Sequence, residues 1–498
     1  MYISTRGNYT PVTASEAIRL GMVPTGGLFV PAEPPSLSIE EILEMQGKPY
    51  QEAACRIMTL FLHDFRPEEI SDCVAKAYSE KNFDHNAITP LFRLDDTVHF
   101  LELWHGPTAA FKDIALQVMP HLLSLALRKA GVERETVILV ATSGDTGKAA
   151  LEGFKDVPGI KIIVFYPYGG VSRVQELQMT TTDGSNTYAV GVRGNFDDCQ
   201  NSVKEIFADE DFKKTLAGKG CGLSSANSIN WGRLLPQVVY YFRAYLALLE
   251  KKEIIPGERI NFVVPTGNFG NILAGWYAGR IGLPIHKLIC ASNENKVLTD
   301  FFQTGIYDRN REFKQTSSPS MDILISSNLE RFLFEISGHN AAKINRWMAA
   351  LKETGRFEAD AETRQAMERF IAADFASEEE TMSAIRGVFA GAGYLLDPHT
   401  AVGFQVYRKY TAATGDRTKT VICATASPFK FSSSVLQAIR DRDYLEGKDE
   451  FAVLRELSRL SGNPVHPGLR GLESRPVLHR TVCERNEIKA QVEKILGL

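Results

Sequence analysis

The chain has 498 residues, with 56 Lys+Arg against 60 Asp+Glu and a formal net charge of -4. Hydrophobic residues make up 44% of the chain and charged residues 23%, which is ordinary for globular proteins and excludes a disordered chain. The near-neutral balance excludes a protein held to nucleic acid by bulk positive charge, so no nucleic-acid partner is expected. At roughly 150 residues per domain, the length indicates about three domains.

The sequence also disfavours membrane insertion and disulfide bonding. The longest apolar run, around Val238 to Leu249, is interrupted by Arg243 and falls short of the roughly 18–20 residues of a membrane helix. The N-terminal residues contain no apolar signal-peptide core. Seven scattered cysteines without a CxxC pair indicate neither a disulfide framework nor a zinc site. We therefore expect a cytoplasmic protein with no membrane partner and no metal.

In chain order, short apolar runs alternate with helical patterns across loops that are rich in Gly, Ser or Asn. Six of these runs are expected to be buried strands: Thr136–Ala141, Lys161–Phe165, Thr187–Val192, Asn261–Val264, His286–Ala291 and Lys419–Ala424. Strands that alternate with helices are typical of βαβ units and of a mostly parallel sheet. In such sheets a ligand lies at the carboxyl ends of the strands, where these loops are found.

The same alternation predicts the organisation of the chain. We expect a helical N-terminal region over residues 1–95, an α/β domain over 96–250 and a larger α/β domain over 251–498, with a cleft between the two α/β layers. Residues 355–390 are predicted to be helical. Within them, Ser377 and Glu380 form a capping box at the start of a helix.

Two loops could hold an anion. The first, 264–271 (VPTGNFGN), connects a predicted strand to a predicted helix, and its two glycines allow φ > 0 and close approach to a ligand. Amide N–H groups at the start of the following helix would favour a phosphate there. The alternative is a tight strand-to-helix turn without a ligand, and the spacing alone does not separate the two.

The second loop, 143–148 (SGDTGK), fails the P-loop pattern. The first glycine of GxxxxGK[ST] would fall at Thr142, and Ala149 follows the lysine where Ser or Thr should hold magnesium. What is left is a helix N-terminus lined by Ser and Thr. It suits a small anion such as a carboxylate, or it is an ordinary capped helix.

Lys112 has unusually apolar sequence neighbours, because it follows Ala-Ala-Phe in the segment HGPTAAFKD (105–113). Partial desolvation would disfavour its ammonium form, lower its pKa and make the free amine available as a nucleophile. A lysine that forms an imine needs such an amine. The alternative is an exposed lysine near the start of a helix.

HGPTAAFKD resembles the signature around the cofactor lysine of threonine synthases, which are pyridoxal-phosphate enzymes of the tryptophan-synthase-β fold type. Further segments resemble that family's motifs and follow in the family's order: GGLFVP (26–31), ATSGDTG (141–147), ANSINWGR (226–233), PTGNFGN (265–271), SNEN (292–295), PSMDILISSNLERF (319–332), DPHTAVG (397–403) and ATASPFKF (424–431). The long chain and its ATASPFKF segment resemble the long bacterial and fungal branch. The resemblance implies fold type II of these enzymes, with two α/β domains and mostly parallel sheets flanking a cofactor cleft.

The resemblance also implies a cofactor site for pyridoxal 5'-phosphate. Lys112 would carry the cofactor as an imine and, once displaced, would move protons. Thr425 would hydrogen-bond the pyridine nitrogen. Asp145 stands where related enzymes have an asparagine near the cofactor 3-hydroxyl, and its role is open because two negative oxygens would repel there. The cofactor phosphate would be cradled by Gly267, Asn268, Phe269, Gly270 and Asn271.

Two groups of substrate residues follow from the same resemblance. The α-carboxylate would be held at the helix N-terminus by Thr142, Ser143 and Thr146. The substrate's own phosphate would be bound by Ser228, Asn230 and Arg233. Arginine suits phosphate because its planar fork gives charge-assisted bidentate contacts, although a surface salt bridge is the alternative for Arg233. We interpret His399 as capped or packed, Lys148 as solvated, and His105 as support for the lysine loop.

The implied reaction converts O-phospho-L-homoserine and water to L-threonine and phosphate, the last step of threonine biosynthesis. It proceeds by γ-elimination and β-addition, and Arg233 would stabilise the departing phosphate. One alternative is a threonine-synthase-like phospho-lyase or a dehydratase that gives a keto acid, and another is a non-catalytic homologue that keeps the cofactor site. The expected partner is a small molecule, and the chain is expected to be a monomer or a homodimer.

Overall fold

The structure is a computed structural model that describes residues 1–142, 144–440 and 442–498. In chain order, the strands of these residues are β1 (Tyr2–Ser4), β2 (Phe29–Pro31), β3 (Leu91–Arg93), β4 (Val98–Glu102), β5 (Glu135–Ala141), β6 (Ile160–Pro167), β7 (Thr187–Arg193), β8 (Cys221–Ser224), β9 (Ile260–Pro265), β10 (Ile285–Ser292), β11 (Ile306–Asp308), β12 (Arg356–Glu358), β13 (Ile371–Phe375), β14 (Thr420–Ala424) and β15 (Val482–Glu484).

The α-helices of the same residues are α1 (Ala14–Leu20), α2 (Ile39–Leu43), α3 (Tyr50–Phe61), α4 (Pro67–Ala77), α5 (Lys112–Leu116), α6 (Met119–Lys129), α7 (Asp145–Phe154), α8 (Arg173–Thr180), α9 (Phe196–Ala208), α10 (Glu210–Gly218), α11 (Trp231–Glu250), α12 (Gly270–Arg280), α13 (Val297–Thr304), α14 (Leu329–Ile336), α15 (Ala341–Thr354), α16 (Ala361–Phe370), α17 (Glu378–Ala392), α18 (Pro398–Thr414), α19 (Ser432–Ile439), α20 (Glu450–Ser461) and α21 (Ile488–Leu496).

Two main sheets organise the molecule. One has the order β13-β10-β9-β14-β4-β3, and the other has the order β15-β7-β6-β5-β8. All neighbours in both sheets pair in parallel except β3, which is antiparallel to β4. The six predicted strand runs coincide with β5, β6, β7, β9, β10 and β14, so the predicted mostly parallel α/β fold is confirmed.

Sheet membership crosses the domain boundaries that we expected at residues 95 and 250. Strands β3 and β4 lie in the six-stranded sheet with β9 and β14, although β4 falls within 96–250. Strand β15, near the C-terminus, lies in the five-stranded sheet. The division into three regions therefore stays a prediction, and the two sheets do not correspond to two uninterrupted segments.

The predicted helical character of residues 355–390 is wrong in part. Strand β13 lies within that range and pairs in parallel with β10, with Ile371 opposite Leu288. It is an edge strand in which only Ile371 is buried, so it lacks the apolar run by which the other strands were found. The capping box of Ser377 and Glu380 is present at the start of α17, as predicted.

The N-terminal region packs onto a long buried helix. Helices α1 to α4 form it together with the two-stranded antiparallel sheet of β1 and β2, in which Tyr2 lies opposite Pro31. The ring of Tyr2 meets that of Trp231 edge-on, with ring centroids 5.3 Å apart. Trp231 opens α11, which is buried along most of its length, so its apolar run belongs to the protein core. Over the residues that the structure describes, we find no helix with the length and apolarity needed to cross a membrane.

The candidate site residues gather at the carboxyl ends of the parallel strands. Lys112 opens α5 after β4, and Asp145 opens α7 after β5. The loop 266–269 connects β9 to α12, and Thr425 follows β14 directly. The two sheets therefore face each other across the place where Lys112 and Asp145 meet, which is where ligands bind in sheets of this type.

Candidate active site

The loop that carries Lys112 is fixed by the segment after β14. The amide of Phe111 donates to the Thr425 carbonyl at 2.8 Å, and the amide of Ser427 donates to the Ala109 carbonyl at 3.0 Å. Ala109 is buried and has φ +61°, a strained conformation for a residue with a Cβ atom. These bonds hold the strained turn and place Lys112 beside Thr425, whose side chain is buried.

The Lys112 amine lies in a largely buried polar cluster. Its Nζ atom is 3.4 Å from Asp145 Oδ2 and 3.4 Å from Ser320 Oγ, and 12% of the side chain is exposed. Burial lowers the pKa of Lys112, the negative charge of Asp145 opposes that effect, and the cations Lys430 and Arg233 add to it. The environment therefore favours the free amine more than an exposed site would.

Asp145 is surrounded by donors. Its Oδ1 atom is 2.9 Å from Lys430 Nζ and accepts a hydrogen bond from Gln175 Nε2 at 3.2 Å. Its Oδ2 atom accepts a hydrogen bond from Ser320 Oγ at 2.9 Å. Burial alone would raise the pKa of Asp145, but the charges of Lys430 and Lys112 outweigh burial and lower it. The carboxylate is thus held in its charged form.

The loop between β9 and α12 forms an amide cradle, made of the backbone N–H groups of residues 267–271. Among the described residues, the amide N–H groups from Gly267 to Asn271 have no acceptor within hydrogen-bond distance. Gly267 has little room for a side chain, since an added Cβ would lie 3.1 Å from the Ser320 carbonyl oxygen and 3.2 Å from Met321 Cα. Free amides at a helix N-terminus are suited to a phosphate group.

The expected left-handed glycines in this loop are wrong. Phe269 has φ +62°, whereas neither Gly267 nor Gly270 has a positive φ. The Phe269 ring is buried against Phe302 and Phe332, with ring centroids 5.7 and 5.4 Å away. Aromatic packing of Phe269 therefore fixes the turn. A glycine is needed at 267 because the backbone of Ser320 and Met321 lies close to it.

In the loop before α7, the Thr142 hydroxyl has a different role from the carboxylate binding that was predicted for it. Thr142 Oγ1 accepts hydrogen bonds from the amides of Gly144 at 3.0 Å and Gly147 at 2.9 Å, so this hydroxyl caps the helix. Thr146 is half-buried on the first turn. Ser143, a predicted carboxylate ligand, lies outside the described residues.

The three residues predicted to bind the substrate phosphate have different surroundings. Asn230 caps α11, since its Oδ1 accepts from the Gly232 amide at 2.8 Å and its Nδ2 donates to the Ile18 carbonyl at 2.9 Å. Ser228 is half-buried, with its Oγ 3.4 Å from Ser327 Oγ. Arg233 is 5% exposed and donates through Nη1 to the Ala226 carbonyl at 2.9 Å.

Arg233 carries unused hydrogen-bonding capacity. Its Nε atom is buried and has no hydrogen-bond partner among the described residues. Burial lowers the pKa of Arg233 to about 10, and no carboxylate of the described residues compensates for its desolvation. The alternative of a surface salt bridge is wrong, since the guanidinium is buried. A buried cation with a free donor is suited to an anionic ligand.

Three residues of the site were not predicted from the sequence: Ser320, Gln175 and Lys430. His399 was interpreted as capped or packed, and the structure confirms the packing. His399 Nε2 accepts a hydrogen bond from the Ser320 amide at 3.2 Å, and its Nδ1 is 2.8 Å from Asp397 Oδ1, so this packed histidine positions Ser320. Lys430 lies between Phe429 and Phe431, the same apolar context that singled out Lys112, and that signal could have found it.

Lys148 and His105 lie next to the site and are both engaged in polar contacts. Lys148 is not solvated as expected, because its Nζ is buried against Glu152 and donates to Thr182 Oγ1 at 2.8 Å. His105 lies between Asp84 Oδ1 at 2.6 Å and Glu102 Oε2 at 3.0 Å. His105 therefore anchors the start of the lysine loop to the N-terminal region.

Three family models cover nearly the whole chain. "Threonine synthase N terminus" matches residues 1–78, "Pyridoxal-phosphate dependent enzyme" matches 83–426, and "Threonine synthase, C-terminal" matches 400–491. The threonine synthase of Pseudomonas aeruginosa is 40% identical over 440 residues, which cover 88% of this chain and 90% of that protein. The chain belongs to the threonine synthase family.

A solved structure supports the same assignment. The crystal structure of PLP-bound threonine synthase from Brucella melitensis matches with a TM-score of 0.88 and 38% identity, covering 100% of this chain and 98% of that one. Pyridoxal 5'-phosphate is therefore the cofactor, and the predicted fold type is confirmed. Human threonine synthase-like 1 is also 40% identical over 96% of this chain, but the chain spans only 63% of that protein's length.

Proposed function

We propose that this protein is a threonine synthase that converts O-phospho-L-homoserine and water to L-threonine and phosphate. One observation carries the proposal: two separate anion positions lie near the desolvated Lys112. The free amides of 267–271 form one position, and the buried Arg233 with its free Nε forms the other. The cofactor has one phosphate, so a second position calls for a substrate that brings a phosphate of its own.

The residues present fit the cofactor. The amide cradle suits its phosphate, and Ser320 joins that cradle to the lysine. The Ser320 carbonyl lies against Gly267, while its hydroxyl lies 3.4 Å from Lys112 Nζ. When bound, pyridoxal phosphate supplies an electron sink that acidifies the protons on carbons near the substrate amino group.

Each residue of the site then has a role in proton transfer or binding. Lys112 Nζ, held near Asp145 and Ser320, accepts and returns protons at the substrate carbons. Arg233 binds the substrate phosphate and stabilises the charge that develops as it leaves. The N-terminus of α7 receives the substrate carboxylate through its backbone amides and Thr146, because the Thr142 hydroxyl is used as a cap.

Burial of the lysine cluster limits the access of water, so that water adds only at the step that needs it. We predict that the protein acts on this small molecule in the cytoplasm. Its oligomeric state, a monomer or a homodimer, is also a prediction. Thr425, directly after β14 and beside the lysine loop, is the residue that we assign to the pyridine nitrogen.

An assay with O-phospho-L-homoserine tests the proposal. The purified protein with pyridoxal phosphate should release threonine and inorganic phosphate in equal amounts, and Lys112→Ala should abolish both products. Borohydride should bleach the visible absorbance and label the peptide that contains Lys112. A keto acid as the main product would instead show a phospho-lyase, and a labelled protein with no turnover of phosphohomoserine would show a non-catalytic homologue.

A further inference from the structure

Lys430 is the most completely buried cation of the site. The side chain has no exposed surface, and its Nζ lies 2.9 Å from Asp145 Oδ1 and 2.9 Å from the Thr108 carbonyl oxygen. Thr108 belongs to the loop that carries Lys112, so Lys430 joins this loop to the N-terminus of α7. No step of the proposed reaction uses Lys430.

Two lysines therefore share one carboxylate, and they share it unequally. Lys430 is 2.9 Å from Asp145, whereas Lys112 is 3.4 Å from it. Charge-assisted hydrogen bonds are stronger when they are shorter, so Asp145 binds the Lys430 ammonium more tightly than that of Lys112. Of the two amines, Lys112 is the one that can lose its proton with the smaller loss of hydrogen bonding.

We propose that Lys430 is a positioning residue whose ammonium group neutralises Asp145 and so leaves the Lys112 amine free to react with the cofactor aldehyde. In that reaction the amine attacks the aldehyde carbon, a carbon–nitrogen double bond forms and water leaves, which requires that the lysine has first lost its proton. The inference rests on the proposed attachment of the cofactor to Lys112, but not on the identity of the substrate.

The charged surroundings support this role. The groups that face Lys112 are Asp145 from α7, Lys430 from the segment before α19, and Arg233 from α11, and His399 from α18 faces Asp145. Asp145 is the negative charge in this set, with two lysines and an arginine around it. Removal of Lys430 would leave Asp145 to pair with Lys112 alone, which would favour the protonated form of the nitrogen at position 112.

The experiment is a pH titration of the visible absorbance of the full-length protein loaded with pyridoxal phosphate. Lys430→Met should raise the midpoint by about 1–3 pH units, the range expected when one neighbouring charge is removed. Lys430→Arg should restore much of the wild-type midpoint because it keeps the charge. Asp145→Asn should shift the midpoint in the opposite direction, and the double variant should lie between the two single variants.

Lys148→Met is the matched control, since Lys148 is also buried, lies on the same helix as Asp145 and pairs with Glu152 outside the site. Its midpoint should equal that of the wild type. Equal midpoints for Lys430→Met and Lys148→Met would overturn the inference. If Lys430→Met does not fold, Asp145→Asn with an unshifted midpoint would overturn it equally.

These outcomes are distinct from a failure of the proposed function. A wild-type protein without a borohydride-sensitive absorbance band would refute attachment at Lys112 and this inference with it. A protein that shows the predicted midpoints but makes no threonine would refute only the proposed substrate.

Discussion

Arg331 donates a hydrogen bond from Nη1 to Asn328 Oδ1 at 2.7 Å, and this pair links the two anion positions that we propose. Neither side chain has exposed surface. The Asn328 amide group donates to the carbonyls of Ser228 and Asn268, each at 3.2 Å. Ser228 precedes the helix that carries Arg233, and Asn268 lies in the amide cradle, so one asparagine sets the spacing between the two loops.

We expect Asn328→Ala to disturb both binding sites at once. The substitution would leave the half-buried Ser228 carbonyl without its donor and the buried Arg331 Nη1 without its acceptor, at a cost of about 1–3 kcal/mol each. The Asn268 carbonyl would keep only the backbone amide of residue 328. The dissociation constant of pyridoxal phosphate and the KM for phosphohomoserine should both rise by at least about tenfold. Equilibrium dialysis and steady-state kinetics measure the two values. Asn345→Ala, the same change on the exposed surface of α15, should leave both unchanged.

Arg233→Lys should impair substrate binding without affecting the cofactor. Lysine keeps the charge but loses the planar fork that binds phosphate in a bidentate manner. We expect kcat/KM for phosphohomoserine to fall by about 10–100-fold, equivalent to roughly 1.4–2.8 kcal/mol. The cofactor absorbance spectrum should match that of the wild type. Arg243→Lys, further along the same helix, is the control, and an equal loss in both variants would remove Arg233 from the site.

Gly267→Ala should weaken cofactor binding by displacing the amide cradle. The new Cβ would lie 3.1 Å from the Ser320 carbonyl oxygen, and that neighbour is backbone, so the loop must shift by a few tenths of an ångström. We expect the dissociation constant of the cofactor to rise by about tenfold or more. Gly387→Ala is the control, because an added Cβ meets nothing within 4 Å on the exposed face of α17. That variant should be more stable by about 1 kcal/mol.

Asp113 should give the protein a measurable pH dependence of stability. Its carboxylate accepts hydrogen bonds from the amide and hydroxyl of Thr108 at 2.8 and 2.6 Å, yet burial raises the pKa of Asp113 from 3.8 to about 6. Because the folded pKa exceeds the unfolded one, this group stabilises the fold most below pH 4, and the contribution is lost as the pH rises through 6.

Asp113→Asn cannot titrate, so the stability of the wild type relative to this variant should fall by roughly 2–3 kcal/mol between pH 4 and 7. Urea unfolding at a series of pH values measures the difference. Asp72→Asn on α4, where the carboxylate is exposed, should show no such trend. A pH-independent difference between the wild type and Asp113→Asn would contradict the prediction.

The sequence predicted an element or a site residue correctly where the local pattern has one physical explanation. Apolar runs such as Thr136–Ala141 predicted the central strands because a buried parallel strand needs apolar side chains on both faces. Strand β13 was missed because an edge strand buries little. The apolar neighbours of Lys112 indicated a desolvated amine, and the same reasoning applied to Lys430 would have found the second lysine.

The sequence did not predict the roles of residues whose polar groups have several possible partners. Asn230 and Thr142 could bind a substrate or cap a helix, and the structure uses both as caps. Ser320 and Asp145 are 175 residues apart in sequence, and only the packing of two sheets brings them to 2.9 Å. Local sequence carries no record of such long-range pairs, because they depend on how distant elements pack.

The position of β14 has a consequence for synthesis of the protein. Strand β4, which leads to Lys112, contacts the rest of the parallel sheet only through β14, which lies between β4 and β9. On the ribosome, residues 420–424 emerge some three hundred residues after the lysine. The Lys112 amine is therefore without its supporting strand during most of translation, and we expect pyridoxal phosphate to bind only after residues 420–424 have been synthesised.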